Sequence, residues 1–412
     1  MERFTGIIGV IVILGIAYLL SNNRKAINFR TVGVGLGIQF GLAVFILKTE
    51  IGHDIFDWLG RAVQKVLSFS DKGAAFVFSP LVDSKLLGKV FGGENSFIFF
   101  FSIIPTIIFV AVLVNMLYHL GIMQRVVAML AIVMKKLLNV SGAEALSNVA
   151  SAFVGQVEAQ IMIKPYLKTM TNSELMASMT GSFACIAGGV MATYIKLGVP
   201  ASYLIAASLM AAPGALVIAK IMFPETEPSE TSGTVKLDIK KNHANLLDAI
   251  AAGASEGLKV GFNVVAMLIG FIALIALFDY ILGKTGMIVG YPSLSFKLIL
   301  GKLFSAFAWA MGVPTKDIEV AGSLMGTKMV INEFVAYLDL AQIKSTIDPK
   351  TLVITSFALC GFANFSSIAI QVGGISELAP SRRADLAKLG FKALIAGTLA
   401  SYMSATFAGL LF

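Results

Sequence analysis

The sequence predicts an all-α integral membrane protein: eight transmembrane helices, two opposed re-entrant hairpins and an interfacial helix. Three observations predict it. Of 412 residues, 57% are hydrophobic and only 14% charged, against about 25% charged in soluble domains, and the mean hydropathy is +0.84. The apolar residues fall in runs long enough to cross a hydrocarbon core, which takes ~20 residues of helix. The lysines and arginines gather in short segments between those runs, as the positive-inside rule requires. That clustering also excludes nucleic acid as the reason for a net charge of +8; the partner of this chain is a lipid bilayer.

The first span is read over Thr5–Leu20. Its apolar run lacks a basic leader and a cleavage site, so it is expected to be a span and not a removable signal. The second is Val32–Leu47, where "VGVGLG" reads as a packing face and not a nucleotide loop, since no strand precedes it. "IFDWLGRAVQKVL" places Ile55, Trp58, Leu59, Ala62, Val63 and Val66 on one helical face, the mark of a helix lying on the membrane surface. A Gly/Ser-containing loop should follow. Span three is Phe97–Leu120, interrupted at Pro105. Ile122–Leu138 is amphipathic, and its Arg125, Lys135 and Lys136 mark the cytoplasmic side. Ser141–Lys168 contains "FVGQVEAQIMIKPY", with Gly155, Gln156 and Glu158 set among apolar residues. Thr171 and Glu174 form a capping box that opens span four, which runs to about Ile195 before "KLGVP" turns the chain.

Span five is Tyr203–Phe223, followed by the hydrophilic loop "PETEPSETSGTVKLDIKKNH", whose three lysines place it in the cytoplasm. Span six is Gly257–Leu282, and Leu294–Phe304 is a second surface helix. Val320–Leu340 is a broken apolar segment holding Asn332 and Glu333; Leu352–Val372 and Leu389–Phe412 are spans seven and eight. The basic segments Arg24–Arg30, Arg125–Lys136, Lys236–Lys241 and Arg382–Lys388 share one side only if Ser141–Lys168 and Val320–Leu340 dip in and return. Both termini then lie on the extracytoplasmic side of the plasma (inner) membrane.

A repeat is legible in the polar positions. "QVEAQ" precedes "SFACIAGG", and "NEFVAY" precedes "SFALCGFANFSS". In each half a glutamate-bearing broken segment is followed by a Ser-Phe-Ala span interrupted by Gly or Asn, then by a continuous apolar span. The two segments enter from opposite sides, which makes the repeat inverted. Such repeats build transporter sites near the midplane, because backbone that leaves helical form in a bilayer must line a wet cavity or be buried in protein.

Glu158 and Glu333 are the strongest candidates for chemistry, since a carboxylate deep in a membrane costs at least ~2.5 kcal/mol and so faces a partner or water. Gln156, Asn332 and Asn364 each offer a donor and an acceptor, which suits an uncharged ligand with hydroxyls or a heterocycle. Phe362 and Phe365 are the aromatic neighbours of that group. The histidines, His53, His119 and His243, are scattered, and Cys185 and Cys360 lie in apolar runs. No HExxH, CxxC pair or P-loop is present, so a zinc protease or an ATP-driven pump has no support, and no cofactor is expected.

"NRKAINFRTV", "FVGQVEA", "IAGGVMATY", "ASLMAAPGAL", "NEFVAY" and "SFALCGFANFSSIAI" together resemble the concentrative nucleoside transporter family, in particular its bacterial members. The likeness runs from near the N-terminus to the end of the chain. It implies a nucleoside substrate, a homotrimer and an elevator mechanism. It also divides the chain: residues 1–120 as scaffold, 121–223 as the first transport repeat, 224–312 as scaffold with span six, and 313–412 as the second transport repeat. By the same resemblance Gln156 hydrogen-bonds the nucleobase, Glu158 matches the glutamate that follows it among the family's substrate residues, and Val190 packs on the base. Glu333, Asn364 and Ser367 hold ribose hydroxyls, and Phe362 packs on the sugar.

There are departures. Sodium-coupled members place side-chain oxygens at three points that here are Ser151, Val157 and Cys185. Na⁺ prefers oxygen ligands; valine offers none and cysteine a soft sulfur. The coupling ion is therefore expected to be H⁺, carried by Glu158 or Glu333, with Na⁺ as the alternative. Gln160 stands where members often carry proline; it either loosens the hairpin tip or adds a polar contact to the base. Three other readings are a carrier of a different small polar solute, a passive channel, and an intramembrane enzyme with Glu158 and Glu333 as acid and base.

Overall fold

The structure, a computed structural model, describes residues 2–92, 97–231, 243–288 and 290–412, and all regular structure among them is helical. The first span is α1 (Glu2–Leu19) and the second α2 (Phe29–Lys48). Asn28 starts α2, its side-chain oxygen accepting from the N–H groups of Arg30 and Thr31 at 3.1 and 3.2 Å. The amphipathic helix is α3 (Glu50–Leu67). The loop expected after it is instead two more helices, α4 (Phe69–Phe78) and α5 (Ser84–Phe91). Asp83 caps α5, and Leu87 anchors it. Span three, α6 (Phe99–His119), is not interrupted: Pro105 sits in its second turn, where one backbone bond is lost and the helix continues. The amphipathic α7 (Ile122–Leu138) has the predicted bounds.

Two sets of elements then follow the same order. In the first, α8 (Gly142–Ser151) and the short α9 (Glu158–Ile161) flank an irregular tip, α10 (Asn172–Ala184) and α11 (Gly188–Lys196) form one broken helix, and α12 (Ala201–Met222) is continuous. After α13 (Leu246–Ile288) and α14 (Phe296–Ala310), the second set begins with the hairpin of α15 (Ile318–Val330) and α16 (Glu333–Ile343). A broken helix, α17 (Pro349–Leu359) with α18 (Phe365–Leu378), and the continuous α19 (Arg383–Leu411) complete it. The halves differ in the second hairpin arm. Residues after α9 wind through i→i−3 turns as far as Thr169, around Pro165, which donates no backbone bond.

Six stretches among the described residues are long and apolar enough to cross a membrane: α2, α6, α10 with α11, α12, α13 and α19. The remaining two predicted spans, α1 and α17, contain shorter apolar helices. Span six is much longer than expected. At 43 residues, α13 extends roughly 65 Å, about twice a hydrocarbon core. Three glycines spaced by four, Gly253, Gly257 and Gly261, let it lie against Ala111, Ile108 and Ile104 of α6. The helix α14, expected on the surface, packs along α15, where Gly322 meets the backbone of Gly301. In "VGVGLG" only Gly35 is a packing contact, against Val217 and Leu138; Gly33 and Gly37 face open space.

The core is where the two sets interlock: α19 packs on α10, α12 and α17, and α12 on α10 and α17. The breaks of the two discontinuous helices meet there. The Phe362 N–H donates to Cys185 O at 3.2 Å. Gly361, at φ +130°, sits against the carbonyls of Phe183 and Ala184, a place and conformation that only glycine fits.

The start of the hydrophilic loop, Pro224–Thr231, is a strap over the first set. Ser229 and Thr231 hydroxyls donate to Glu174, each at 2.5 Å, and Thr231 O accepts from Gly142 N–H at 2.8 Å. Beneath it Lys220 pairs with Glu144 at 2.7 Å. Both Glu144 and Glu174 also close capping boxes, with Ser141 and Thr171; the first, which the sequence reading passed over, carries the same Ser/Thr-x-x-Glu spacing as the second. The basic run Lys236–Lys241 lies outside the described residues.

Candidate functional site

A cavity of about 800 Å³ opens between the α6–α13 pair and the two hairpins. It gathers residues far apart in the chain. From the first half come Gln156, Val157, Glu158 and Val190; from the second come Asn332, Glu333, Phe362, Asn364 and Ser367. All seven residues expected at the substrate are thus brought together. The opposite wall is α6 and α13, through residues such as Asn115, Tyr118 and Asn263.

Local folding explains the placement. The cavity residues 187–190, 332–334, 364, 366 and 367 stand at the starts of α11, α16 and α18. Three helix N-termini, with unpaired N–H groups and partial positive charge, therefore converge on one space. Asn332 and Asn364 are the N-caps of α16 and α18, accepting from Val335 and Ser367 N–H, each at 2.9 Å.

The two glutamates are not equivalent. Glu333 is 5% exposed. Its carboxylate accepts from the Asn364 amide at 2.9 Å and from the Tyr194 hydroxyl at 3.3 Å, while Tyr337 stacks on Tyr194 with ring centroids 4.2 Å apart. Glu158 is exposed and folds over Gly155. Gln156 is half-buried, and the Gln371 amide donates to its side-chain oxygen at 3.4 Å.

Gln160 neither loosens the tip nor reaches the cavity. It is fully buried, accepting from the Ser178 hydroxyl at 2.6 Å and donating to the Ser182 hydroxyl at 2.9 Å. It bolts the hairpin to α10. The polarity that suggested a base contact is spent on two serines one helical turn apart.

Ser151, Val157 and Cys185 do not together present oxygens to a common point. The Ser151 hydroxyl bonds Ser147 O at 2.8 Å and the Ser182 hydroxyl at 3.1 Å. Val157 packs on Gly374. Cys185 is buried with its thiol toward Ser208 O, 3.9 Å away.

Sequence reasoning missed Tyr194, Gln371, Ser182 and Thr193. Tyr194 follows Val190 by one helical turn inside "IAGGVMATY", a spacing that could have found it. Thr193 lines the cavity, fully buried, with a hydroxyl that has no hydrogen-bond partner among the described residues.

Comparison with known proteins identifies the family. Three family models match in chain order: the N-terminus of Na⁺-dependent nucleoside transporters over residues 8–81, a "Gate" model for nucleoside recognition over 100–201, and the C-terminus of Na⁺-dependent nucleoside transporters over 203–409. The chain is 41% identical to the putative nucleoside permease NupX of Escherichia coli, covering 99% of each. It is 38% identical to the sodium/nucleoside cotransporter 1 of Rattus norvegicus, over all of this chain and 64% of that one. The solved structure of CNTnw in an inward-facing, substrate-bound state superposes with a TM-score of 0.95 at 42% identity, covering 100% of this chain and 98% of that one. Variants of CNTnw have also been solved in intermediate and outward-facing states. These matches set aside the intramembrane enzyme: this multi-pass membrane protein belongs to the concentrative nucleoside transporter family.

Proposed function

We propose that the protein is a symporter that imports nucleosides and draws on the proton gradient. The observation that carries the nucleoside reading is the single cavity in which Gln156 and Val190, suited to a base, face Glu333 and Asn364, suited to vicinal hydroxyls. A carboxylate is an acceptor of two hydroxyl protons, and an amide can both donate and accept. Glu158 joins Gln156 on the base side, while Phe362 and Ser367 complete the sugar side.

Proton coupling is supported by the fate of the three sodium-ligand positions. Ser151 is engaged by serines, Val157 has no oxygen, and the Cys185 sulfur turns toward α12. Between the glutamates, Glu158 suits the carrier better. It is exposed to the cavity, whereas Glu333 is locked by Asn364 and Tyr194. Sodium coupling is the second reading; the descriptions of the matching family models favour it, and backbone carbonyls would have to supply most ligands.

For the mechanism, the two hairpins are read as re-entrant, and eight crossings put both termini outside. The moving part carries both repeats. Because α1 and α2 pack on α12 and α19, we assign them to it as well, which narrows the scaffold of residues 1–120 and 224–312 to little more than α6 and α13. The long, exposed α13 suits the wall against which an elevator slides, and the contact surface of a homotrimer. The test is uptake of labelled uridine into proteoliposomes without Na⁺ under an inward proton gradient. Accumulation that a protonophore collapses is expected; uptake that requires Na⁺ and ignores the gradient overturns proton coupling, and no uridine transport under either gradient overturns the substrate.

A further inference from the structure

Lys328 is a full charge in the most buried part of the molecule, and the functions described above do not use it. It lies in the last turn of α15, with no exposed surface. Its ammonium donates to Ala358 O at 3.0 Å and lies 5.9 Å from the centroid of the Tyr402 ring. Among the described residues no carboxylate forms an ion pair with it; the buried Glu333 belongs to the other arm of the same hairpin, five residues on.

Its position has a physical reason. The broken helix leaves the carbonyl end of α17 buried, and that end carries partial negative charge. Tyr337 takes Ser356 O at 2.7 Å and Ser401 takes Cys360 O at 2.8 Å; the carbonyl between them, Ala358 O, falls to Lys328. The face of Tyr402 is a favourable neighbour for a cation. Glu333 stands across the hairpin tip from it, at the start of α16. The ammonium thus closes the end of a broken helix from within the hairpin that also carries the ligand-facing carboxylate. The first half has no such charge. There the last turn of α8 offers Ser151, which meets the Ser182 hydroxyl at 3.1 Å.

We propose that Lys328 is a fixed internal counter-cation and a positioning residue for the nucleoside. It holds Glu333 as an ionised, acceptor-only carboxylate, so the second hairpin needs no bound ion to grip a pair of ribose hydroxyls. A second consequence is that the charges of Lys328 and Glu333 cancel at the tip of the second hairpin. The inference rests on the reading of Glu333 as a sugar ligand.

The test is uridine binding to the purified full chain, measured by calorimetry alongside thermal melting. Lys328→Met, which keeps most of the stem's volume, is expected to weaken binding about tenfold, ~1.4 kcal/mol. Because Lys328 acts through Glu333, the double variant Lys328→Met/Glu333→Gln should bind no more weakly than Glu333→Gln alone. In Lys328→Ala, added methylammonium should restore most of the lost affinity, whereas sodium chloride at the same ionic strength should not. Wild-type affinity in Lys328→Met, additive losses in the double variant, or a folded Lys328→Ala that ignores methylammonium would each overturn the proposal. If Lys328→Ala does not fold, the cycle with Lys328→Met decides alone. Wild-type protein that fails to bind uridine, or Glu333→Gln that binds it normally, sinks the underlying reading instead.

Discussion

Individual side chains divide into those the cavity uses and those that hold them. Glu333 is of the first kind, with two donors already in place. Glu333→Gln keeps its shape but replaces one acceptor oxygen with a donor; hydrogen bonds to charged groups are worth about 1.5–3 kcal/mol, so uridine affinity should fall roughly 10- to 100-fold by calorimetry. Glu158→Gln should act differently. If Glu158 carries the proton, this variant should exchange uridine across proteoliposomes but not accumulate it under a proton gradient; full accumulation would remove Glu158 from the coupling step. Gln160 is of the second kind. Gln160→Ala leaves the buried Ser178 hydroxyl without its acceptor and removes one of the partners of Ser182, at a cost of ~1–3 kcal/mol. It should lower the melting temperature while leaving the discrimination between bases unchanged. The sequence could name Gln160 as unusual, but whether it faced a ligand or a neighbouring helix depended on which side of the tip met α10.

At the scale of elements, the molecule depends on helices that stop inside the protein. Each break exposes backbone groups that must be satisfied internally, and the two breaks satisfy one another around Gly361. Gly361→Ala would force a side chain into a left-handed conformation against two carbonyl oxygens. Strained backbone alone costs of order 1–3 kcal/mol, and the clash adds to it, so a large fall in melting temperature and in folded yield is expected. The strap and the ion pair beneath it make a second such point. Lys220→Met would leave Glu144, 2% exposed, as an uncompensated buried charge. Breaking a buried pair in this way costs about 3–5 kcal/mol, and uridine should recover part of the lost melting temperature by binding the folded state. The capping box at Thr171 was legible because its two residues stand three positions apart, a fixed local spacing. The strap was not, because its acceptor, Glu174, lies more than fifty residues from Ser229 and Thr231.

For the whole molecule, the proposed elevator depends on which helices pack as one body. The interlocked α10, α12, α17 and α19 form one body with both hairpins attached, while α6 and α13 meet each other along a glycine stripe. Gly257→Leu should disturb the second contact and leave the first intact. Uridine binding should then survive while the transport rate falls, measured by calorimetry and proteoliposome uptake on the same preparation. The membrane class, most of the spans, the repeated order of elements and the polar residues that the two hairpins and broken helices bring to the cavity were legible in the sequence; the full length of α13 and the α6–α13 wall were not. Composition, run length and polar letters in apolar surroundings are local signals. Only the tertiary structure decided that Glu158 is open and Glu333 enclosed, that Gln160 faces α10, that α1 and α2 pack with the repeats, and that Lys328 closes the end of α17. Each of those depends on a contact between segments distant in the chain, and what a polar group does in a protein interior is fixed by the partner that reaches it.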